Sequence, residues 1–494
     1  MENKKDNKNY IKEVFSIFKN IFLEDVIDAN IDYVRENPEK NIDYVINRLD
    51  KKLKNTKGEQ FVDWVRNNPG PRQFFINLFK KDKKQVNVII KNLILYSGVD
   101  WIKKNKKLDP EKEFPAPFTL LISPTMACNL QCEGCYAISY DKSKDMSKEF
   151  FDDIITQAEE MGTHFFTLLG GEPSLKIVEF YDVFRKHKNS IFQMFTNGTY
   201  LNRNKKSLEA LIDLKNIIPV LSVDGTEEET NELRGRGVYN EVVSLANKLA
   251  SKNFAYGISL VLTSTNYKTL SDEKFYDEWI DRGAMFGWIF LYMPISKYSK
   301  LELMPTPQQR KSMYDVVNYV RNNKPFFLMD FWNDAPAIDG CIAARRYAHV
   351  NNEGYLEPCI FVHLATHNLH EVSLKEAWNS DYFKAIRLNQ PHADNLLMPC
   401  MIIDNPEVLR RIINKYNPIA TDGYEKERIF EIAKDLDDYS NQVKNELDSF
   451  YIQKYYNKKN LNWLKEKKAH TEGFDRIWLK YLDEEEKKKY ENLI

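Results

Sequence analysis

Between residues 118 and 322 the sequence alternates short, continuous apolar runs with amphipathic stretches, and few folds accommodate that pattern. The runs are FTLLIS (118–123), HFFTLLGG (164–171), IFQMFTNG (191–198), IPVLSVDG (218–225), YGISLVLTS (256–264) and FGWIFLYMP (286–294). Each is short and apolar at nearly every position, as a strand covered on both faces requires. Helical patterns lie between them. MSKEFFDDIITQAEEMG offers Ser147 as N-cap and Gly162 as a stop, and VYNEVVSLANKLASK and residues 307–322 follow the same period. About six strand–helix repeats imply a parallel sheet with right-handed crossovers, either open or curled into a barrel.

In such sheets ligands sit at the carboxyl ends of the strands, and the unusual residues gather there. ACNLQCEGCY follows the first strand and places Cys128, Cys132 and Cys135 in a C-x3-C-x2-C triplet. Disulfide pairing accounts for it poorly, because three is odd and the loop is short. Three thiolates on a tight loop suit a soft metal or an iron–sulfur cluster. Structural zinc usually takes four ligands, so a triplet leaves one position open. After the second strand comes Gly170-Gly171-Glu172-Pro173. The glycines let backbone approach a ligand, and Glu172 could accept from a cationic amino group. A strand-to-helix turn with Pro173 at the first helical position explains the shape of this segment but not the glutamate. Asn197 stands in TNGT, where Asn-Gly also simply forms turns. Ser222 and Asp224 stand in SVDG, and Arg234 in LRGRG could pair with a carboxylate.

The triplet, its place after the first strand, Tyr136 directly behind it and the later rim motifs resemble the radical S-adenosylmethionine (SAM) superfamily across about residues 115 to 405. The resemblance implies a partial (β/α)6 barrel of the α/β class, and a [4Fe-4S] cluster on Cys128, Cys132 and Cys135 with SAM on its open iron. It also implies SAM contacts from Tyr136, Gly170, Gly171, Glu172, Asn197, Ser222, Asp224 and Arg234, with Thr263 and Asn266 as weaker candidates. In that family an electron enters the SAM sulfonium, a carbon–sulfur bond breaks, and a 5′-deoxyadenosyl radical takes hydrogen from substrate. A low-potential donor such as flavodoxin or ferredoxin, and an anaerobic setting, would follow.

Cys341, Gly354 and Cys359 form C-x12-G-x4-C, with Cys400 later. This resembles the SPASM and twitch extensions that carry auxiliary iron–sulfur clusters. Those extensions normally offer more cysteines, so Cys341, Cys359 and Cys400 would need a fourth ligand from elsewhere. Small buried thiols in a hairpin are the simpler alternative. His363, His367 and His370 have i, i+4, i+7 spacing, but YLEPCIFVHLATHNLHEV reads as strand and loop, so the three need not face together.

The expected organisation is a helical region over 1–113, the barrel over 114–325, the auxiliary segment over 326–405 and a charged helical region over 406–494, with Trp463 and Trp478 as aromatic anchors. The formal net charge of −1 gives no pull toward nucleic acid. Six cysteines in 494 residues are far from a disulfide scaffold, and no apolar run is long enough for a bilayer. A cytoplasmic protein is the expectation. Locally, from Lys51 to Lys107, fifteen Lys or Arg stand against four Asp or Glu. KKDKK and KKNKK there flank an apolar stretch, so 80–107 would suit peripheral contact with an anionic membrane. A core helix with solvated lysines is the simpler reading. Candidate substrates are a peptide or protein, or a lipid at the membrane surface. A non-catalytic iron–sulfur carrier or sensor is the reading from a different class.

Overall fold

A computed structural model describes residues 24–53, 58–105, 108 and 113–455. Six strands, β1 (Thr119–Ile122), β2 (Phe165–Leu168), β3 (Ile191–Thr196), β4 (Ile217–Ser222), β5 (Gly257–Leu262) and β6 (Phe286–Leu291), lie side by side in chain order, all parallel. They coincide with the six apolar runs. Their alternation divides two faces. Leu120, Phe166, Phe192, Ile258 and Ile289 are buried in the main core with helical residues such as Ile154, Leu211 and Leu245. Leu121, Thr167, Phe195, Val261 and Phe290 face inward and line a cavity.

The connecting helices end where local chemistry stops them. Helix Lys148–Met161 begins at Ser147, whose hydroxyl accepts from Phe150 N, and ends at Gly162 with φ +102°. That conformation suits a residue without Cβ. Helix Pro307–Asn323 starts with a capping box between Thr306 and Gln309 and a proline in its first turn.

The sheet does not stop at six strands. β7 (Phe327–Asp330) continues it beside β6, also parallel. β8 (Tyr347–Val350) adds to the other edge, parallel to β1, and β9 (Leu356–Glu357) folds back antiparallel. Barrel and auxiliary segment therefore share one sheet of nine strands. A second, two-stranded sheet pairs β10 (Leu364–Ala365) with β11 (Ile419–Ala420), tying the auxiliary segment to the helices Pro406–Tyr416, Glu425–Glu431 and Ala433–Tyr455. Trp463 and Trp478 lie outside the described residues.

The N-terminal helices, from Glu24–Glu36 to Trp101–Asn105, carry their own core of Ile31, Val34, Ile42, Val62 and Ile76. They cover the amino ends of the strands. Ile89 packs on Ile191 and Ile218, with Phe165 and Phe286 beside them. Gln85 is fully buried, its amide donating to Ala255 O at 3.1 Å and accepting from Ala255 N at 2.6 Å. Part of the apolar face of 80–107 is thus spent inside the molecule, Ile89 on the strands and Ile90, Ile94 and Leu95 on the helical core, while Leu93 stays exposed. Two of the flanking lysines are also engaged, Lys81 donating to Gly283 O and Lys104 pairing with Asp100. No helix among the described residues is long and apolar enough to cross a membrane.

Gln85→Ala would leave both Ala255 backbone groups buried without partners. Each such group costs about 1–3 kcal/mol, so a loss of about 2–6 kcal/mol is expected in urea unfolding. The neighbouring Lys84→Ala, at an exposed site, is expected to stay within about 0.5 kcal/mol of wild type.

Candidate active site

A cavity of about 300 Å³ opens along the inner face of the sheet. Its wall at the carboxyl ends of the strands contains Cys128, Cys132, Cys135, Tyr136, Gly170, Gly171, Asn197, Ser222, Asp224 and Arg234. Ten of the eleven residues expected at the triplet and around SAM thus meet at one place. Toward the strands' interior the lining turns apolar and aromatic, with Phe165, Phe195, Trp288 and Phe290.

Glu172 is the exception. It is fully buried behind the wall, and its carboxylate is taken up by protein. Oε1 accepts from Ser174 N, Ser174 Oγ and Thr196 Oγ1, and Oε2 accepts from Asn197 N at 2.8 Å. Among the described residues it braces the end of β3 and the loops after β2 and β3, and does not line the cavity. The glycines before it also act on protein. A Cβ on Gly171 would stand 2.2 Å from Ala127 O, and one on Gly170 2.2 Å from Thr125 O. The close approach they permit is to the backbone leading into the cysteine loop. Tyr136 fastens the same edge, its hydroxyl donating to Gly170 O and accepting from Gly170 N.

The Arg234 guanidinium is held at its Nε edge. Its Nε donates to Asp224 Oδ2 at 2.5 Å, and Asp224 Oδ1 accepts from Val261 N. Burial opposes the charge on Arg234, but Asp224 and the nearby Cys132 and Cys135 outweigh it and raise its pKa further. Asn266 braces this corner, donating to Asp224 O and Val261 O, while Thr263 lines the cavity.

The six cysteines are all free thiols. Burial raises the pKa of Cys128, Cys132 and Cys135, Cys132 up to about 12 with Arg234 pulling the other way. Asn197 Nδ2 lies 3.7 Å from Cys128 Sγ. A backbone amide two residues on donates to Cys128 at 3.4 Å, and Ala137 supplies the same contact to Cys135. The pattern recurs in the second set: Ala343 N to Cys341 at 3.4 Å, Phe361 N to Cys359 at 3.4 Å, Ile402 N to Cys400 at 3.3 Å. Burial lifts Cys341 to about 11 and Cys359 to about 12. Tyr347 stands among these three, its hydroxyl 3.0 Å from Cys359 Sγ and within electrostatic reach of Cys341 and Cys400. Thiols that resist ionisation alone, yet receive N–H groups at sulfur, suit a bound cationic cluster that deprotonates them. Both sets fit such a group.

The three histidines do not face together. His363 is buried beside Asp422 and Glu425, His367 bonds Thr366, and His370 stacks on Phe150. Residues that sequence reasoning missed include Tyr347 and Tyr292, whose ring fills the space a Cβ on Gly134 would need. Neither belongs to a motif that would have announced it.

Comparison with known proteins places this geometry. A profile of the radical SAM superfamily matches residues 122–277, and one of the SPASM iron–sulfur cluster-binding domain matches 341–401. The chain carries a radical SAM domain and a SPASM-type domain, and is an iron–sulfur enzyme. Its cofactors are a [4Fe-4S] cluster and SAM, with auxiliary iron–sulfur binding in the SPASM segment. It is similar to mycofactocin maturase MftC of Mycolicibacterium smegmatis, 26% identical over 299 residues that cover 56% of this chain and 74% of the relative. Sporulation killing factor maturation protein SkfB of Bacillus subtilis is 29% identical over 161 residues, 32% of this chain and 38% of its own. Among solved structures, Streptococcus suis SuiB bound to S-adenosylmethionine covers 65% of this chain and 81% of its own at 20% identity, with a TM-score of 0.49.

Gly171→Ala forces its methyl group against the carbonyls of Met126 and Ala127. A loss of about 1–3 kcal/mol is expected in chemical denaturation. An unchanged midpoint would mean that the approach to the cysteine loop yields freely.

Proposed function

We propose that Cys128, Cys132 and Cys135 hold the [4Fe-4S] cluster, that SAM lies along the rim beside it, and that the substrate is a peptide or protein. Three free thiols in the wall of one cavity, with apolar walls beneath them, carry the reading. With cluster and SAM bound, the site supplies one-electron cleavage of a carbon–sulfur bond and a radical able to abstract hydrogen.

The chain's own residues position and shield. Gly170 and Gly171 offer a bare backbone edge, and Asn197 and Ser222 offer polar groups. Arg234 presents a cation fixed by Asp224, suited to a carboxylate. Asn197 and the amides of Leu130 and Ala137 stabilise negative charge on sulfur. Phe195, Trp288, Phe290 and Phe331 exclude water from the space where hydrogen would be taken, and an apolar side chain is the best match for that lining. Cys341, Cys359 and Cys400 hold an auxiliary cluster, with its fourth ligand from outside the cysteine set. MftC is a maturase and SkfB a maturation protein, which favours a peptide or protein over a lipid. Packing of Ile89 on the strand ends, which spends part of the 80–107 apolar face inside the molecule, points the same way.

The test is anaerobic reconstitution with iron and sulfide, followed by dithionite and SAM. About eight irons and formation of 5′-deoxyadenosine are expected for wild type if both sets carry four-iron clusters. Replacing Cys128, Cys132 and Cys135 together by Ala is expected to remove about four irons and all SAM cleavage. SAM cleavage surviving that replacement would overturn the cluster assignment. Replacing Cys341, Cys359 and Cys400 together by Ala is expected to remove the remaining iron and leave the first cluster's absorption in place. Unchanged iron there would refute the auxiliary site.

A further inference from the structure

His363, Asp422 and Glu425 form a cluster that the radical chemistry does not use. His363 and Glu425 are wholly inaccessible and Asp422 is 6% exposed. His363 Nε2 lies 3.0 Å from Ile360 O. A carbonyl only accepts, so Nε2 carries a proton. Nδ1 on the other side faces two carboxylates, Asp422 Oδ2 at 3.2 Å and Glu425 Oε2 at 3.1 Å. Unless Nδ1 also takes a proton, an acceptor meets two acceptors in a space closed to water, and a cation is the group that resolves this.

Two further observations point to a ligand. Glu425 Oε1 is buried with no hydrogen-bond partner. Asp422 is aimed from behind, its Oδ1 accepting from Tyr424 N and Glu425 N, which leaves Oδ2 to the cluster. The candidate ligand atoms all lie within 4.8 Å of one another. Around zinc at about 2.0–2.1 Å, tetrahedral ligands stand about 3.3–3.4 Å apart, close to both Nδ1 distances. A histidine that holds a metal through one nitrogen commonly donates its other N–H to a carbonyl or carboxylate, as Nε2 does to Ile360.

We propose that His363 Nδ1, Asp422 Oδ2 and Glu425 bind a divalent cation of the zinc type, with Glu425 Oε1 completing the coordination. The ion pins the auxiliary segment to the C-terminal region where β10 pairs with β11 and Thr421 N donates to His363 O. It is separate from the iron sites: its ligands are nitrogen and oxygen, and it holds whether or not the peptide-substrate reading does.

The reconstituted full chain is incubated with zinc, passed through chelating resin and measured for metals and zinc K-edge absorption. About one retained zinc per chain is expected, with a nitrogen/oxygen shell near about 2.0–2.1 Å and no sulfur near about 2.3 Å. Asp422→Asn and Glu425→Gln are expected to reduce retained zinc at least tenfold with iron content unchanged. No retained zinc in wild type would make the cluster a protonated ion pair and overturn the proposal. A sulfur shell would overturn it too, by placing the zinc at the cysteines. Should either variant fail to fold, the wild-type absorption spectrum still decides.

Discussion

The buried carboxylate of Glu172 holds the active rim together. An unpaired charge of this kind is costly away from water, so its persistence depends on its four donors. Those donors come from the loops that follow β2 and β3, and the backbone beside it, at Gly170 and Gly171, is pressed against residues 125 to 127. Three strand ends are therefore fixed relative to one another by one side chain and two missing ones. The cysteine loop inherits its position from that arrangement.

The strands were legible because β1 to β6, covered on both faces, leave continuous apolar runs that turns separate. β8 was not. Its YAHV carries His349, buried and bonded to Ser123 at 2.7 Å and to Glu357 at 2.6 Å, so a polar residue interrupts the pattern that marks a core strand. β7, four residues long and starting two residues after Pro325, is too short to show a period. The rim residues could be placed by motif, but not their mutual pairing. Arg234 and Asp224 sit ten residues apart on different local structures, and nothing in either motif says they neutralise one another. The partners of His363 lie 59 and 62 residues away in a region with no motif at all.

The auxiliary segment is built into the barrel rather than appended to it. Because β8 pairs with β1, with Thr119 opposite Tyr347, the strand that launches the cysteine loop lies directly beside the strand that follows Cys341. Tyr136, behind the first set, packs edge-on against Phe361 at 6.2 Å, two residues beyond Cys359. A rigid shared sheet and a direct aromatic contact keep the two sets in fixed relation. That constancy is useful if electrons pass between them.

Access to the cavity follows from how its two ends are finished. At the amino ends of the strands Ile89 and its neighbours form an apolar floor, and the paired amide of Gln85 anchors the helix that carries it. At the other end the closure is polar: Lys300 pairs with Glu133 of the cysteine loop, and Lys300 N donates to the Tyr292 hydroxyl. Side chains at the floor are packed in a core, whereas the half-exposed ion pair at the rim contributes little and exchanges easily with water. The way into the cavity therefore runs past the rim and down toward the apolar lining at Phe195 and Phe290.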